Sequence, residues 1–272
     1  MHERISIHQV CFPGASLAEL AGHWRDLGTR RVSLISPPLL AEGGLAQART
    51  ALSSGDYRVE TVCHPFVSGP SLSRLKADSQ APREALLRLI DIAAELGGRS
   101  IYMLTGGHGT LAWDDAAEIF SAAVAPCVEV ARAAGVALAI ENASSLYADL
   151  HIAHSLADTL TLAEMAGLGV CIDLYFCWAE AELRYLFARA MPICHLVQLS
   201  DYVYGDRSLP ARAVPGDGVI PLERIVGWLL EAGYRGTFDL ELLGPRIDAE
   251  GHLPAVSRAA GRVGALLTAL GA

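Results

Sequence analysis

Short apolar runs alternate with longer Ala/Leu-rich stretches from one end of the chain to the other. The runs lie at residues 4–9, 31–36, 58–64, 100–105, 136–141, 168–173, 193–200 and 236–241. They are near-continuously apolar, which predicts strands buried on both faces. The intervening stretches at 17–27, 45–53, 82–96, 113–134, 155–166, 180–188, 221–232 and 254–270 carry helical spacing. In 82–96, for example, Leu86, Leu89, Ile90, Ala93 and Leu96 fall on one face. The punctuation agrees: Ser16 reads as an N-cap, Pro221 as a first-turn proline, Gly135 and Gly233 as helix ends, and Pro37–Pro38 and Pro65 as strand stops.

Strict alternation of this kind predicts a parallel sheet with helical crossovers. Eight such units predict a closed α/β fold, a (β/α)8 TIM barrel forming a single domain over residues 1–272. An open doubly wound sheet is the alternative. It is weakened because no G-x-G-x-x-G follows the first strand, and Gly106-Gly107-His108-Gly109 after the fourth lacks that spacing.

Composition narrows the function classes. A barrel typically needs about 250 residues, and this chain has 272, of which 52% are hydrophobic. The net charge of −9 and a single adjacent basic pair, Arg30–Arg31, argue against nucleic acid as a partner. The six cysteines form no C-x-x-C or zinc-type spacing, which suits a reducing, cytoplasmic setting. The N-terminus shows no secretory h-region, and no apolar run is long enough to span a membrane. The expected partner is a small-molecule substrate, with no nucleic acid and no membrane, and with room for a homo-oligomer.

Catalytic groups of a barrel sit at the C-terminal ends of its strands. Glu141, Asp173 and Glu241 each directly follow an apolar run in the fifth, sixth and eighth units. An ionised carboxylate there is costly unless it is paired or bound to a cation. Oxygen ligands from several strands suit Mn²⁺, Mg²⁺, Co²⁺ or Zn²⁺, with the Gln198 amide oxygen as a candidate fourth ligand. Each acid alone is equally explained by an arginine partner or a helix cap; the recurrence of three favours a metal. His64, ending the third strand, is the candidate extra acid/base. His8 and His108 are candidate substrate contacts, and Arg207 is a candidate for an anionic substrate group. By strand parity His195 faces away from Gln198. Gly216-Asp217-Gly218 reads as a tight turn, and Trp113, Trp178 and Tyr204 as packing or pocket-wall residues.

The pieces Ala139-Ile140-Glu141-Asn142, Gly169-Val170-Cys171-Ile172-Asp173, Val197-Gln198-Leu199-Ser200-Asp201, Pro215-Gly216-Asp217-Gly218-Val219-Ile220-Pro221 and Leu240-Glu241 occur in one order. Together they resemble the xylose-isomerase-like barrel superfamily of sugar-phosphate isomerases and epimerases, ketose 3-epimerases and inosose dehydratase. The resemblance implies a metal held by Glu141, Asp173, Gln198 and Glu241. Two positions depart from the pattern. Gln198 stands where a histidine is usual, and Phe176 stands where a substrate-contacting histidine often follows the sixth-strand Asp. Phe176 points to a substrate with an apolar or aromatic portion.

The implied chemistry is removal of a proton beside the carbonyl of a hydroxy-ketone, through an enediolate, with Glu141 and Glu241 as acid/base groups. Isomerisation, epimerisation and loss of a β-leaving group share that step. The leading expectation is an isomerase or epimerase acting on a sugar, sugar phosphate or related hydroxy-ketone. A lyase or dehydratase acting on a keto-inositol or keto-sugar derivative is the second. A phosphodiesterase of the endonuclease IV type would need a His-rich three-metal cluster and DNA contacts, which charge and composition oppose. A non-catalytic binding subunit is opposed by the three intact acids.

Overall fold

The computed structural model describes residues 1–68, 71–75 and 80–272. Eight parallel strands close into a barrel: β1 (Ile5–His8), β2 (Arg31–Ile35), β3 (Arg58–Pro65), β4 (Ser100–Leu104), β5 (Ala137–Glu141), β6 (Gly169–Asp173), β7 (Cys194–Leu199) and β8 (Phe238–Leu240). Each strand pairs with its neighbours in chain order, and β8 closes on β1 through Ile5 opposite Phe238 and Ile7 opposite Leu240. The expected TIM barrel is therefore the observed fold.

The helices begin and end where local chemistry permits. Ser16 and Glu19 form a reciprocal capping box at the start of Leu17–Leu27, and left-handed Gly28 ends it. Ser155 caps Leu156–Ala166 by accepting from the Asp158 amide. Expectation and structure part at four places. Pro37 and Pro38 do not only stop β2; they occupy the first turn of a short helix, Ser36–Leu40, where a missing N–H costs nothing. The helix predicted at 180–188 runs instead over Leu183–Ala190, behind a separate turn, Leu174–Cys177. Pro245–Glu250 is a further short helix. The loop after β7 folds into a small antiparallel ribbon that pairs Asp201–Tyr202 with Arg212–Ala213.

Successive strand residues face opposite sides, and the two sides differ in kind. Val32, Leu34, Val62, Ile101, Met103, Ile140, Ile172 and Val197 join one large core with helix residues such as Leu20, Trp24, Leu89, Phe120 and Val124. The alternate residues Tyr102, Ala139, Cys171 and Leu196, with Cys63, form a small separate cluster inside the barrel. Around that cluster the lumen is polar. Hydrogen bonds cross it from β1 to β4 (His8 to Tyr102) and from β7 to β4 (Gln198 to Tyr102). Others reach β8 from β1 and β2, where Ser6 and Ser33 meet Asp239. Barrel interiors are usually filled by branched apolar side chains. Here the larger apolar layer lies outside the strands, and the lumen holds one small apolar cluster among polar groups.

Two β-bulges adjust the register. Glu60 is the extra residue of β3 where β2 steps from Val32 to Ser33, and His195 is the extra residue of β7 beside Val170 and Cys171. The bulge turns Glu60 into a junction with Arg31, Arg99 (3.4 Å) and Thr237 (2.9 Å). Its two arginines remain partly solvated, with side chains 26% and 66% exposed. Glu60→Ala is therefore expected to cost roughly 2 kcal/mol, less than a fully buried pair would. Urea unfolding would show this as a lower midpoint with an unchanged slope, and an unchanged midpoint would remove Glu60 from the stabilising contacts.

Candidate metal centre

Glu141 ends β5, Asp173 ends β6, and Glu241 lies one residue past β8. These three strand ends converge, so that one carboxylate oxygen from each lies within 4.8 Å of the others. Glu141 and Asp173 are buried, and the Glu241 side chain is 12% exposed at the mouth. The backbone around them is pinned. Asn142 accepts from the Asp173 amide and donates to the Asp173 carbonyl, both at 2.9 Å, which ties the end of β5 to the end of β6. His151 Nδ1 accepts from the Thr105 amide at 2.9 Å, so its Nε2 carries the proton and donates to the Glu141 carbonyl at 2.6 Å. Asp173 Oδ1 accepts from the Tyr175 amide and caps the short helix that follows.

One cation sits among the three acids. Arg212, from the ribbon after β7, is 3% exposed. Its Nη2 lies 2.6 Å from Asp173 and 3.1 Å from Glu241, and its Nη1 donates to Ser200 at 3.1 Å. The guanidinium carbon lies 4.9 Å from the Tyr175 ring centre and 5.1 Å from that of Phe176. Burial opposes the charge of Arg212, but Asp173 and Glu241 outweigh it and hold the pKa above its ordinary value. Glu141 has no such partner: among the described residues its carboxylate makes no hydrogen bond or ion pair. Burial, then Glu241 and Asp173, push its pKa well above the usual carboxylate range. Burial raises Asp173 as well, against the pull of Arg212.

A buried chain supports Glu241 from below. Val10 N–H donates to His8 Nδ1 at 3.1 Å, so His8 Nε2 carries the proton and donates to Tyr102 at 3.0 Å. Gln198 Nε2 donates to Tyr102 at 3.2 Å and to Glu241, while its Oε1 accepts from Cys171 at 3.2 Å. Gln198 thus holds Glu241 and, in this orientation, turns its oxygen away from the acids; rotating the amide by half a turn would present it.

The other residues picked from sequence divide between the site and more distant places. Phe176 lies against Arg212, at the site. His64 is buried on the opposite strand face from Cys63, with Nδ1 2.9 Å from Ser36 and Nε2 unpartnered, and it makes no contact with the three acids. His108 stacks on His154 in the loop after β4, with ring centres 5.8 Å apart. Arg207 is exposed and, among the described residues, makes no ion pair. Asp201 accepts from the amides of Tyr202, Gly216, Gly218 and Ile220, and so builds the turn read from Gly216-Asp217-Gly218. A Cβ on Gly218 would lie 2.3 Å from the Asp201 carboxylate. Arg212, Tyr102 and His151 were not picked out. Arg212 left a trace, as a lone charge in the apolar stretch Leu209-Pro210-Ala211-Arg212-Ala213-Val214.

Burial lowers His64 from 6.5 to about 4. Below pH 6.5 the unfolded chain takes up a proton there that the folded protein refuses. Stability is therefore complete above that pH and falls as the pH drops from 6.5 to about 4, by about 3 kcal/mol for this residue. Burial pulls His8 to about 3 and His151 to about 4, so both act in the same direction. Asp239, raised by burial to about 8, acts the other way, so the His64 contribution is read by difference: from pH 7 to 4 the unfolding midpoint of His64→Asn should lose less than that of wild type, and equal changes would contradict this role.

The family model described as xylose isomerase-like TIM barrel matches residues 23–261. No curated protein matches the chain. Among solved structures, protein SMc04130 from Sinorhizobium meliloti 1021 is similar at 26% identity and TM-score 0.81, over 98% of both chains. A xylose isomerase-like TIM barrel protein from Mycobacterium smegmatis in complex with magnesium is similar at 16% identity and TM-score 0.74, over 99% of this chain and 98% of that one. D-psicose 3-epimerase with D-tagatose from Clostridium cellulolyticum H10 is similar at 16% identity and TM-score 0.77, over 98% of both.

Proposed function

The chain belongs to the xylose isomerase-like TIM barrel family, and we propose that it is a divalent-cation-dependent isomerase or epimerase that moves a proton beside the carbonyl of a hydroxy-ketone such as a sugar or sugar phosphate. One observation carries this reading: three carboxyl groups converge on one point, and the single guanidinium among them pairs with Asp173 and Glu241 and leaves Glu141 without a cationic partner among the described residues. The donor set fits a divalent ion. Glu141, Asp173 and Glu241 would hold it, and the Gln198 amide would adjoin it, in a hard oxygen environment suited to Mn²⁺, Mg²⁺, Co²⁺ or Zn²⁺. Glu141, without another partner, is the residue whose burial most calls for a cation. When bound, the cation supplies Lewis acidity that polarises the substrate carbonyl and eases loss of the adjacent proton.

The chain's own residues supply the rest. Glu141 and Glu241 enter from β5 and β8, three strands apart around the ring, so they approach a substrate from different sides. With such a pair, one carboxylate can take the proton from one face of the carbon beside the carbonyl, and the other, in its acid form, can deliver its own proton to the opposite face of the carbon made planar by that loss. Arg212, steadied by Tyr175 and Phe176, can turn its donors from the carboxylates to a substrate oxygen. Tyr102 and His8 hold Gln198, and through it the orientation of Glu241.

A second reading, a lyase of keto-inositols or keto-sugar derivatives, is favoured by Phe176. This side chain offers no hydrogen bond to a sugar hydroxyl and presents an apolar ring beside Arg212, against which an apolar leaving group could pack. Incubating the divalent-ion-loaded protein with ketoses and keto-inositols in D2O tests the shared step. Deuterium uptake at the carbon next to the carbonyl, with appearance of an isomer or epimer, is expected. Uptake accompanied by elimination would favour the lyase, and no uptake across the panel would refute proton abstraction.

A further inference from the structure

An aromatic band lies along one side of the barrel mouth. Phe176 meets Tyr147 edge-on at 5.9 Å and Tyr175 edge-on at 5.1 Å. Tyr175 meets Tyr202 at 6.1 Å, and Tyr202 meets Trp178 at 6.2 Å and Tyr204 at 6.4 Å. The band is drawn from three successive loops, those after β5, β6 and β7, which are also the loops beside Glu141, Asp173 and Arg212. Tyr147 and Phe176 are half-buried, and Tyr204 is 77% exposed, so the band runs from the acids out to solvent. Leu146, Leu150 and Leu209, on the same loops, are also exposed large apolar side chains. Phe176 lies against Arg212, which pairs with Asp173 and Glu241, and Tyr147 lies against Phe176, so the inner end of the band adjoins the acids.

Rings this close to a polar centre usually either pack away from solvent or receive a ligand. Tyr175 and Phe176 both already lie against the Arg212 guanidinium, so further stacking falls to the exposed parts of Phe176 and Tyr147. The absence of a donor or acceptor on Phe176, next to the place where the hydroxy-ketone would lie, disfavours a polyol tail there. We propose that the substrate is a hydroxy-ketone carrying a planar apolar substituent, such as an aryl group, which stacks on Phe176 and Tyr147 while the polar end meets the acids. This inference rests on the proposed function and names its substrate class.

The test compares phenyl 3-keto-β-D-glucopyranoside with its methyl counterpart, which shares the hydroxy-ketone and lacks the ring. Affinities are measured by calorimetry on the Mn²⁺-loaded full chain, alongside deuterium uptake. The phenyl compound is expected to bind on the order of tenfold more tightly. Phe176→Ala and Tyr147→Ala should each bring the ratio of phenyl-compound to methyl-compound affinity close to one, a ratio that cancels any loss of Arg212 support shared by both compounds. Phe176→His, a smaller and more polar ring, should weaken the phenyl compound selectively, and melting curves report whether each variant folds. Equal affinities in the wild type, or an unchanged preference in both Ala variants, overturn the aromatic subsite while deuterium uptake from both compounds preserves the proposed function. Absence of binding and of uptake for both compounds overturns the aryl hydroxy-ketone as the substrate class, and the panel of ketoses and keto-inositols then decides the proposed function by itself.

Discussion

Replacing Glu141 by Gln is expected to abolish deuterium uptake almost completely while making the metal-free protein more stable. The carboxylate of Glu141 is buried and unpaired, and it lies against two other acids. As a proton carrier it should contribute a factor of roughly 10³ to the rate. As a buried group in the metal-free protein it is a liability, and the neutral isostere should relieve on the order of 1–2 kcal/mol of like-charge and desolvation cost. Elemental analysis of purified wild type, Glu141→Gln and Glu241→Ala should show a divalent metal near one per chain in the first and a marked loss in the other two. Such an opposition of activity and stability is common where a site is built from strained charges. A Glu141→Gln protein that keeps its metal and its exchange rate would remove Glu141 from the chemistry. A wild type that binds no divalent metal while folded would sink the central proposal.

Arg212→Met should do the reverse to stability. It removes the one cation between Asp173 and Glu241 and leaves both acids without a charged partner in a buried site. Breaking a buried ion pair from one side costs about 3–5 kcal/mol, a fall in melting temperature of about 10 °C for a chain of this size. The loss should be largest in EDTA and smaller with added Mn²⁺, because the ion then balances the same carboxylates. Wild type should gain less from Mn²⁺ than Arg212→Met does. Arg212→Lys keeps the charge but not the planar fork that reaches Ser200 and lies against Tyr175 and Phe176, so it should fall between the two. Equal melting of Arg212→Met and wild type in EDTA would mean that the ion pairs do not stabilise the fold.

The barrel was legible because its signal is repetitive. All eight predicted strands are present, with ends shifted by at most two residues. The three acids were legible for a related reason: each sits at the same place in its unit, where an apolar run meets a loop. The short helix Ser36–Leu40 was hidden because proline both stops a strand and starts a helix. The ribbon Asp201–Tyr202 with Arg212–Ala213 was hidden because its two arms are two residues each, too short for any period to show.

Sequence by itself determined the layering, since the alternation of strand and helix patterns dictates which elements must pair, and it determined which strand ends carry acids. The convergence of Glu141, Asp173 and Glu241 was implied once the barrel closed. What only the tertiary structure decided is what those acids meet. Arg212 reaches them through a ribbon with no local signature, Tyr102 and His8 reach Gln198 across the lumen, and His151 holds Glu141 from a loop. It also separated His64, which strand position alone suggested for the site, from the acids. Strand and helix periods arise from neighbours along the chain, whereas these partners lie on different strands and loops, and only closure of the ring sets their distances.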